Sequence, residues 1–596
     1  MTLKTADRFL PISKDDLRQR GWSQLDVVLI TGDAYVDHPS YGAAVIGRYL
    51  LSHGFTVGVI AQPNWRSLDD FLKLGRPKLF VGITAGNVDS MIANYTANKR
   101  VRSIDDYSPG GKPGLRPDRA VIVYANRARE AFGPIPIVLG GIEASLRRLA
   151  HYDYWDDHVR RSVLIDSKAD ILVYGMGERQ TLEIAQRLGK GENVHTFNDI
   201  QGTVINRNDH RFIDSAILLP SFEEVKADKQ KFNQAFRQFH SCLNPYSSKP
   251  LVQPHADRFI IQLPPALPLG RATLDKIYEL DYARDWHPGY KKEGGVKGFE
   301  TVRFSIISHR GCCGECSFCS LYAHQGRIIQ SRSQESILRE AQEIAKQKDF
   351  KGTITDIGGP TANLYEAVCS LWERQGACSN KSCLAPEKCK NLALGYKRTI
   401  ELYRKIRCLP KVKHVFVGSG FRYDLLADAA GEEYLKELCS FHVSGRMKVA
   451  PEHNAASVLK VMNKTNFELY KKFVEKFTTI NKKLGKKQFL VNYFISAHPG
   501  STLKDALGLA LYLAKMNMLP EQIQDFIPLP MTLSGCVYHT ERDPFTGEKI
   551  YSAKTFRERK LQRALLQHRN PVNKKLVIEA LRSLDQVSLI PKFFPK

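Results

Sequence analysis

The sequence has no long apolar run. Its first residues, MTLKTADRFLPISKDD, contain no apolar stretch of signal-peptide length, and no later run approaches the ~20 apolar residues that cross a bilayer. These absences argue against a secreted or membrane-spanning protein, and they predict a soluble, cytoplasmic protein without a membrane partner. Internal repeats and low-complexity tracts are absent as well.

Acidic residues are too few to balance the basic ones. The chain has 62 Asp and Glu against 87 Lys and Arg, so its formal net charge is +25. A charge of this sign makes polyanions natural partners on electrostatic grounds. RNA is therefore a candidate partner, although the sequence contains no RRM, KH, zinc-finger or helix-turn-helix signature.

The positive charge is concentrated in two segments. Residues 460–487 hold nine lysines against two glutamates, and residues 551–575 hold eight lysines or arginines against one glutamate. In the first segment Leu469, Phe473 and Phe477 recur at helical spacing, which favours an amphipathic helix with a solvated basic face. The second segment could form a helix that binds polyanions.

The first third of the chain alternates short apolar runs with helical patterns. At 596 residues the chain is too long for one ordinary core, so two or more domains are expected. Continuously apolar strands separated by helices predict an α/β domain over residues 1–215, with a parallel sheet covered on both faces. The predicted strands are 25–33, 55–61, 78–84, 134–141 and 170–175. The glycine- and proline-rich segment 108–119 is predicted to be a loop, either a ligand-binding loop beyond the strand ends or a simple surface loop.

A second alternating series follows a looser connecting region at residues 216–300. Six strand–helix units over residues 301–530 predict a partial (β/α)6 barrel, whose site would lie at the carboxyl ends of the strands. An open doubly wound sheet is the alternative. Residues 531–596 are predicted to form a basic, helical C-terminal extension. The predicted strands of the second series are 302–311, 352–359, 413–420, 445–450, 488–500 and 524–530.

Twelve cysteines are poorly explained by disulfides in a cytoplasmic chain. After the first strand of the second series, Cys312, Cys316 and Cys319 form a C-x3-C-x2-C pattern. Three thiolates on one short loop can hold three irons of a [4Fe–4S] cluster and leave the fourth iron open to a small chelating molecule. The alternative is a zinc site, which would usually close its four ligands with a second C-x2-C pair or with histidines.

This cysteine loop resembles that of the radical S-adenosylmethionine superfamily. The resemblance implies a cluster that binds S-adenosylmethionine, with Phe318 near its adenine. Gly358 and Gly359 stand where a GGE-like motif usually binds the methionine amino group, but Pro360 replaces the glutamate, so only the glycine backbone contact carries over. Ribose and carboxylate contacts often follow later strands in the superfamily, and strand-end turns or caps are the alternative there. The residues at those strand ends are Ser419, Arg422 and Glu452.

Further motifs resemble the YgiQ family of uncharacterised radical S-adenosylmethionine proteins over nearly the whole chain. They are GGIEASLRR, SHRGCCGECSFC, DIGGPTANLY, VAPEHN, ISAHPGST, PMTLS and DPFTGEKIY. The resemblance implies an N-terminal domain similar to the sheet domains that bind cobalamin in other radical enzymes, and GMGE at 175–178 fits that form. Cobalamin with a histidine ligand usually needs D-x-H-x-x-G, whereas residues 37–42 read DHPSYG. We therefore favour a structural or substrate-binding domain without cobalamin.

A second group of thiols occurs in a polar insert at residues 365–392. Its members could close a zinc site or hold an auxiliary iron–sulfur cluster, and free thiols are the alternative because the intervals match no common zinc knuckle. These cysteines are Cys369, Cys378, Cys383 and Cys389. The remaining five are scattered and are predicted to be structural, namely Cys242, Cys313, Cys408, Cys439 and Cys536.

These residues together predict an enzyme. A reduced [4Fe–4S] cluster would cleave S-adenosylmethionine, and the resulting 5′-deoxyadenosyl radical would act on an unidentified substrate. The electron would come from a donor such as flavodoxin or ferredoxin, and no catalytic residue for the substrate step is predicted. Two alternatives stay open: an RNA-modifying radical enzyme, and a nucleic-acid-binding protein with a structural metal site.

Overall fold

A computed structural model describes residues 8–520 and 522–594. Its internal contacts divide the chain into two compact units. The first unit runs to Ile307 and also takes in Ala323–Glu340 and Arg374–Ser379. The second unit consists of Ser308–Tyr322, Ala341–Glu373 and the chain from Asn380 onwards. The finer boundaries given above at residues 215, 300 and 530 stay a prediction.

The first unit is built on a nine-stranded sheet. Five neighbouring strands of this sheet are parallel and coincide with the five predicted runs, which confirms the parallel N-terminal sheet. Every residue of Val27–Thr31 is buried, as expected for a strand with helices on both faces. Across the sheet the parallel strands are Val57–Ala61, Val27–Thr31, Phe80–Thr84, Ile137–Leu139 and Ile171–Val173.

Four further strands extend this sheet. Three of them come from residues 216–300, so this segment does more than connect two domains. Two buried glutamines on these strands, Gln253 and Gln262, interrupt the apolar pattern that would have revealed them. In order across the sheet the added strands are Thr203–Arg207, Arg258–Gln262, Leu251–His255 and Ile217–Leu218.

Helices surround the sheet, and short strand pairs complete the first unit. Val36–Asp37 pairs with Asp285–Trp286, and His151–Asp153 pairs with His158–Arg160. The helices are Lys14–Gln19, Gly42–Ser52, Asp69–Leu72, Ser90–Asn94, Ala120–Phe132, Gly141–Leu146, Val163–Ser167, Glu178–Gly189, Phe222–Ala227, Lys229–Ser241, Arg271–Tyr278 and Lys297–Glu300. Further along the chain follow the strands Ser305–Ile307 and Gln330–Ser331 and the helices Leu321–Gln325 and Gln334–Lys346.

The second unit contains short parallel strands at the predicted positions. Thr353–Ile354 pairs with His414–Val415. Arg446–Glu452 pairs with Phe489–Ser496, which also pairs with Gln522–Asp525. The shorter strands of this unit are His309–Arg310, Asp356–Gly358, Val368–Cys369 and Leu392–Ala393.

Helices of the C-terminal segment pack into the core of the second unit. Phe556–Leu566 and Lys574–Ser583 share one apolar cluster with Leu503–Lys515. The other helices of the unit are Trp372–Gln375, Tyr396–Arg407, Ala429–Glu437, Ala456–Val461, Phe467–Lys483, Leu533–Thr540 and Ile590–Phe593. Within residues 8–520 and 522–594, no helix has the length and apolar character that crossing a membrane requires.

Candidate functional site

Three hydrogen bonds fix the backbone of the cysteine loop. The Ser317 N–H donates to the Met462 carbonyl at 3.0 Å, and the Ser534 N–H donates to the Ser317 carbonyl at 2.8 Å. The Asn463 side-chain amide donates to the Glu315 carbonyl at 2.9 Å. The loop is thus held by two separate segments of the second unit.

The three thiols of the loop influence one another electrostatically. Burial and the neighbouring Cys316 raise the pKa of Cys312, and burial together with both other thiols raises the pKa of Cys319. A coordinated metal removes this penalty, because a thiol bound to a metal is deprotonated. Among the described residues, no group of three Cys, His, Asp or Glu side chains is arranged to hold a single metal ion. In an iron–sulfur cluster, each iron takes one thiolate, so a loop with three thiols suits a cluster.

Arg422 brings a positive charge to these thiols. Its Nη1 donates to the Cys316 Sγ at 3.5 Å, while its Nε donates to Asp424 at 3.1 Å. The Arg422 side chain is 8% exposed and that of Asp424 5%. Asn363 holds the Arg422 backbone from both sides, accepting from its N–H and donating to its carbonyl. The guanidinium therefore faces the cysteine loop, and a direct contact to S-adenosylmethionine stays a prediction.

Asp356, which the sequence did not single out, fixes Ser419. The Asp356 carboxylate accepts from the N–H groups of Gly418 and Ser419 at 2.8 and 3.1 Å, and from the Ser419 hydroxyl. Burial raises the pKa of Asp356. A Cβ at Gly358 would lie 2.4 Å from the Ser419 Oγ, so only glycine fits there. Ser419 retains the capacity to accept a hydrogen bond from a ligand.

Gly359 lies against a buried histidine that also went unrecognised in the sequence. A Cβ at Gly359 would lie 2.6 Å from the His309 ring. The His309 Nδ1 is 2.9 Å from the Ser308 Oγ, whereas its Nε2 has no hydrogen-bond partner among the described residues. Burial lowers the pKa of His309 to about 4, so the ring is neutral at pH 7. One nitrogen thus stays available beside the glycine pair.

Glu452 ends its strand in a strained backbone conformation. Its φ is +66°, in the left-handed region that a non-glycine residue rarely adopts. Burial raises the pKa of Glu452, and the Lys464 Nζ, 4.0 Å from its carboxylate, opposes that shift. The charge of Glu452 also contributes to the raised pKa of Cys319. Lys464, although part of the first basic segment, is buried and donates to the Ala450 carbonyl at 2.8 Å.

Phe318 is half-buried and connects the loop to the C-terminal segment. Its ring meets the His498 ring edge-on at a centroid distance of 5.8 Å. The His498 Nε2 lies 2.7 Å from the Ser534 Oγ, which donates to the Ser317 Oγ at 2.7 Å. Burial lowers the pKa of His498 to about 3. A buried polar network therefore supports the loop from a segment beyond residue 530.

The four cysteines of the insert differ in their surroundings. Cys369 lies in a two-residue strand paired with Leu392–Ala393, and the Cys389 N–H donates to the Cys383 carbonyl at 2.9 Å. Cys378 belongs to a part of the chain that groups with the first unit. A side-chain hydrogen bond with Cys383 raises the pKa of Cys313. The described residues hold no three-ligand group, and a second metal site stays a prediction.

The five remaining cysteines are not all buried. Four of them are buried, but Cys408 is exposed just beyond the helix Tyr396–Arg407. The prediction of a structural role is therefore wrong for Cys408, because its thiol packs against no core. The buried four are Cys242, Cys313, Cys439 and Cys536.

In the DHPSYG segment of the first unit, residues 37–39 and Tyr41 are buried, whereas Gly42 is exposed. Asp37 forms an ion pair with Arg48, and the Ser40 N–H donates to the Nδ1 of His38 at 3.2 Å. The His38 ring packs edge-on against Phe299 at 5.9 Å. Burial lowers the pKa of His38 well below its usual value.

The two basic segments of the sequence differ in how their charged side chains are used. The helix Phe467–Lys483 buries an aromatic face and exposes lysines, as predicted, although Leu469 is only half-buried. In the second segment the Arg563 Nη1 lies 2.6 Å from the Asp525 carboxylate, and Arg559 is buried and donates to the Phe526 carbonyl. These arginines serve the fold, so the segment is not a uniformly basic surface.

Family models cover most of the chain. Residues 9–305 match the model described as Radical SAM N-terminal, and residues 306–513 match the Radical SAM superfamily. Residues 521–592 match a domain of unknown function, DUF3362. The cysteine loop and the strand-end residues discussed above lie within the second of these matches.

Curated relatives are similar along nearly the whole chain. A UPF0313 protein of Methanocella arvoryzae is 52% identical over 579 residues, which cover 97% of this chain and 96% of that protein. A UPF0313 protein of Clostridium botulinum is 50% identical over 582 residues, covering 98% of this chain and 91% of that protein.

Two solved structures are similar at low identity. The methyltransferase TsrM from Kitasatospora setae, with cobalamin and a [4Fe–4S] cluster bound, is 15% identical with a TM-score of 0.47, covering 86% of this chain and 78% of that one. The cobalamin-dependent radical enzyme OxsB, with aqua-cobalamin bound, is 11% identical with a TM-score of 0.49. The similarity covers 96% of this chain and 73% of OxsB. The prediction against cobalamin gains no support from these likenesses.

Proposed function

The chain belongs to the UPF0313 family of radical S-adenosylmethionine proteins, and from this membership we propose that the cysteine loop is where the enzyme cleaves S-adenosylmethionine reductively. Cys312, Cys316 and Cys319 would hold the cluster. When bound, a [4Fe–4S] cluster supplies the single electron that splits S-adenosylmethionine into methionine and a 5′-deoxyadenosyl radical.

The observation that carries the proposal is the combination of three thiols with one buried cation. Charged thiolates are costly to bury unless an opposite charge compensates them. The Arg422 Nη1 lies 3.5 Å from the Cys316 Sγ, and Asp424 fixes the direction of the guanidinium. The Arg422 charge thus opposes part of the burial penalty that raises the pKa of Cys312.

Strand-end residues around the loop would bind and orient the cofactor. The backbone of Gly358 and Gly359, which packs against the side chains of Ser419 and His309, would contact the methionine end. Glu452 offers a buried carboxylate, which suits an amine or hydroxyl group. Phe318, half-buried beside His498, offers an aromatic surface for the adenine.

The reaction needs a one-electron donor and a substrate. We infer a donor of the flavodoxin or ferredoxin class, because the cluster must be reduced one electron at a time. The substrate of the radical is not assigned, and the buried His309 ring, which lies against Gly359, is a polar group beside the glycine pair without an assigned cofactor contact.

Anaerobic reconstitution tests the ligand assignment. The protein should bind about four irons and, once reduced, give an EPR signal that changes when S-adenosylmethionine is added. Cys316→Ala should lose that signal while its far-UV circular dichroism stays unchanged. Cys408→Ala, at an exposed cysteine outside the loop, is the matched control and should keep it. An unaltered cluster signal in Cys316→Ala would overturn the assignment.

A further inference from the structure

The first unit contains a cavity of about 360 Å³ that the radical chemistry does not use. Trp65 contributes to it from the loop that follows the strand Val57–Ala61. Arg116 contributes from the glycine- and proline-rich segment, and it contacts Asp33, which follows the strand Val27–Thr31. Open parallel sheets bind ligands at this edge, beyond the carboxyl ends of the strands. The volume lies within the range of small-molecule sites.

Internal hydrogen bonds fix the polar part of the wall. The Tyr95 hydroxyl donates to Asp118 at 2.7 Å, and the Asn94 amide donates to the other carboxylate oxygen at 2.8 Å. The Arg102 Nε donates to the carbonyls of Ile92 and Tyr95 at 3.0 and 3.1 Å. Because these groups satisfy one another, the cavity is formed without a ligand.

The rest of the wall is apolar and continues to an exposed rim. Trp65, Pro117 and Val123 line the cavity. Val101 also lines it and is 71% exposed, so it lies at the rim. Exposed apolar side chains around a concave site mark a place where an apolar ligand can cover them.

Two buried N–H groups in this wall have no acceptor. The Trp65 Nε1 and the Arg116 Nε are both buried without a hydrogen-bond partner among the described residues. The Arg116 side chain is fully buried, and its two Nη atoms are held by Asp33 at 2.9 Å and Asp105 at 3.2 Å. Neither nitrogen has surface that a water molecule can reach, so a ligand in the cavity does not contact these two donors.

Charge differs between the floor and the mouth. At the floor, Arg116 is already matched by Asp33 and Asp105, so an additional anion there would meet no free positive charge. Near the mouth, Arg102 is exposed, and the Arg66 guanidinium lies 4.2 Å from the centroid of the Trp65 ring. A ligand with an uncharged body and one anionic group fits this distribution.

We propose that the cavity binds a small aromatic organic anion. The aromatic body lies against Trp65 and Tyr95. The anionic group lies at the mouth beside Arg102 and Arg66. This site is independent of the cluster and of S-adenosylmethionine.

Calorimetric titration of the full-length reconstituted protein tests the proposal, with 1-anilinonaphthalene-8-sulfonate as the probe. One saturable site per chain is expected, with an affinity that falls as salt rises. The uncharged analogue N-phenyl-1-naphthylamine should bind roughly tenfold more weakly and without salt dependence. Absence of saturable binding by the sulfonate, or equal affinity for both probes, would overturn the proposal.

Three variants locate the site. Val123→Trp fills the cavity and should abolish binding, whereas Val572→Trp, at a position 83% exposed, is the control and should not change it. Trp65→Ala removes the aromatic surface against which the ligand lies and should weaken binding about fivefold. Arg102→Gln removes the exposed charge together with the hydrogen bonds to the Ile92 and Tyr95 carbonyls, so its far-UV circular dichroism is compared first, and it should lose most of the salt dependence. Unchanged binding in Val123→Trp and Arg102→Gln would refute this location.

Discussion

Arg422 is shared between a carboxylate and a thiol, so replacing it acts on two groups at once. Arg422→Gln leaves Asp424 buried without its cation, which should cost about 3–5 kcal/mol of unfolding free energy. It also removes a charged donor from Cys316. Hydrogen bonds to cluster sulfurs and nearby positive charge favour the reduced cluster, so its reduction potential should fall.

The double variant Arg422→Gln/Asp424→Asn separates these two effects. It removes the uncompensated charge, so most of the lost stability should return, as followed by chemical denaturation. The reduction potential, from an EPR-monitored titration, should stay below that of the unmodified protein. A potential equal to that of the unmodified protein would show that Arg422 has no influence on the cluster.

Glu452 combines burial with an unfavourable backbone conformation, a combination that is common at functional sites. Glu452→Gln keeps the shape and removes the charge. We expect its affinity for S-adenosylmethionine to fall about tenfold or more, because hydrogen bonds to charged groups are among the stronger ones. Equilibrium dialysis with the reconstituted protein measures this, and an unchanged affinity would remove Glu452 from the cofactor site.

At the level of elements, the helix Leu533–Thr540 supports the cysteine loop through Ser534. Ser534→Ala breaks the link to Ser317 and leaves the buried His498 Nε2 without that partner. The change should cost about 1–3 kcal/mol and speed the loss of iron from the reconstituted protein. Ser583→Ala, at an exposed helix end, is the matched control. Equal rates of iron loss in both variants would contradict this supporting role.

Several elements could be predicted from the sequence because their signal is local. Val27–Thr31 and its parallel neighbours are continuous apolar runs. Leu251–His255 and Arg258–Gln262 were missed because buried glutamines stand where apolar residues were expected. Gln253 accepts from the Ala150 N–H at 2.8 Å, and Gln262 accepts from Arg148 at 2.7 Å. Partners more than one hundred positions away leave no local pattern.

Residues of the candidate site whose partners are distant in the sequence were likewise not predicted. The cysteine spacing and the glycine pair are visible in the sequence because each motif is contiguous. Asp356 reaches Ser419 across 63 positions, and the role of Lys464 depends on its proximity to Glu452. Such residues can be recognised only after the strands have brought their ends together.

For the whole molecule, the net charge of +25 is a poor guide to partners. Arg559 and Arg563 are engaged inside the second unit, while lysines of the helix Phe467–Lys483 face solvent. RNA as a partner, and RNA modification as an activity, stay predictions. Steeply salt-dependent RNA binding would support the first of these.

The C-terminal segment is part of the core of the second unit rather than an appendage. Ending the chain after residue 530 would expose Leu509 and Leu513, which belong to the same buried apolar cluster as Leu565 and Leu581. We expect the shortened protein to lose the cooperative unfolding of this unit in calorimetry. A second unit that still melts cooperatively at an unchanged temperature would contradict this expectation.

The central claim is reductive cleavage of S-adenosylmethionine at the cysteine loop. Its most direct test is the amount of 5′-deoxyadenosine formed by the anaerobically reconstituted protein, measured by mass spectrometry with and without a low-potential reductant. The account predicts formation that depends on the reductant, is lost in Cys316→Ala and is kept in Cys408→Ala. Absence of 5′-deoxyadenosine from a protein that carries its full cluster, or its formation by Cys316→Ala, would contradict the account.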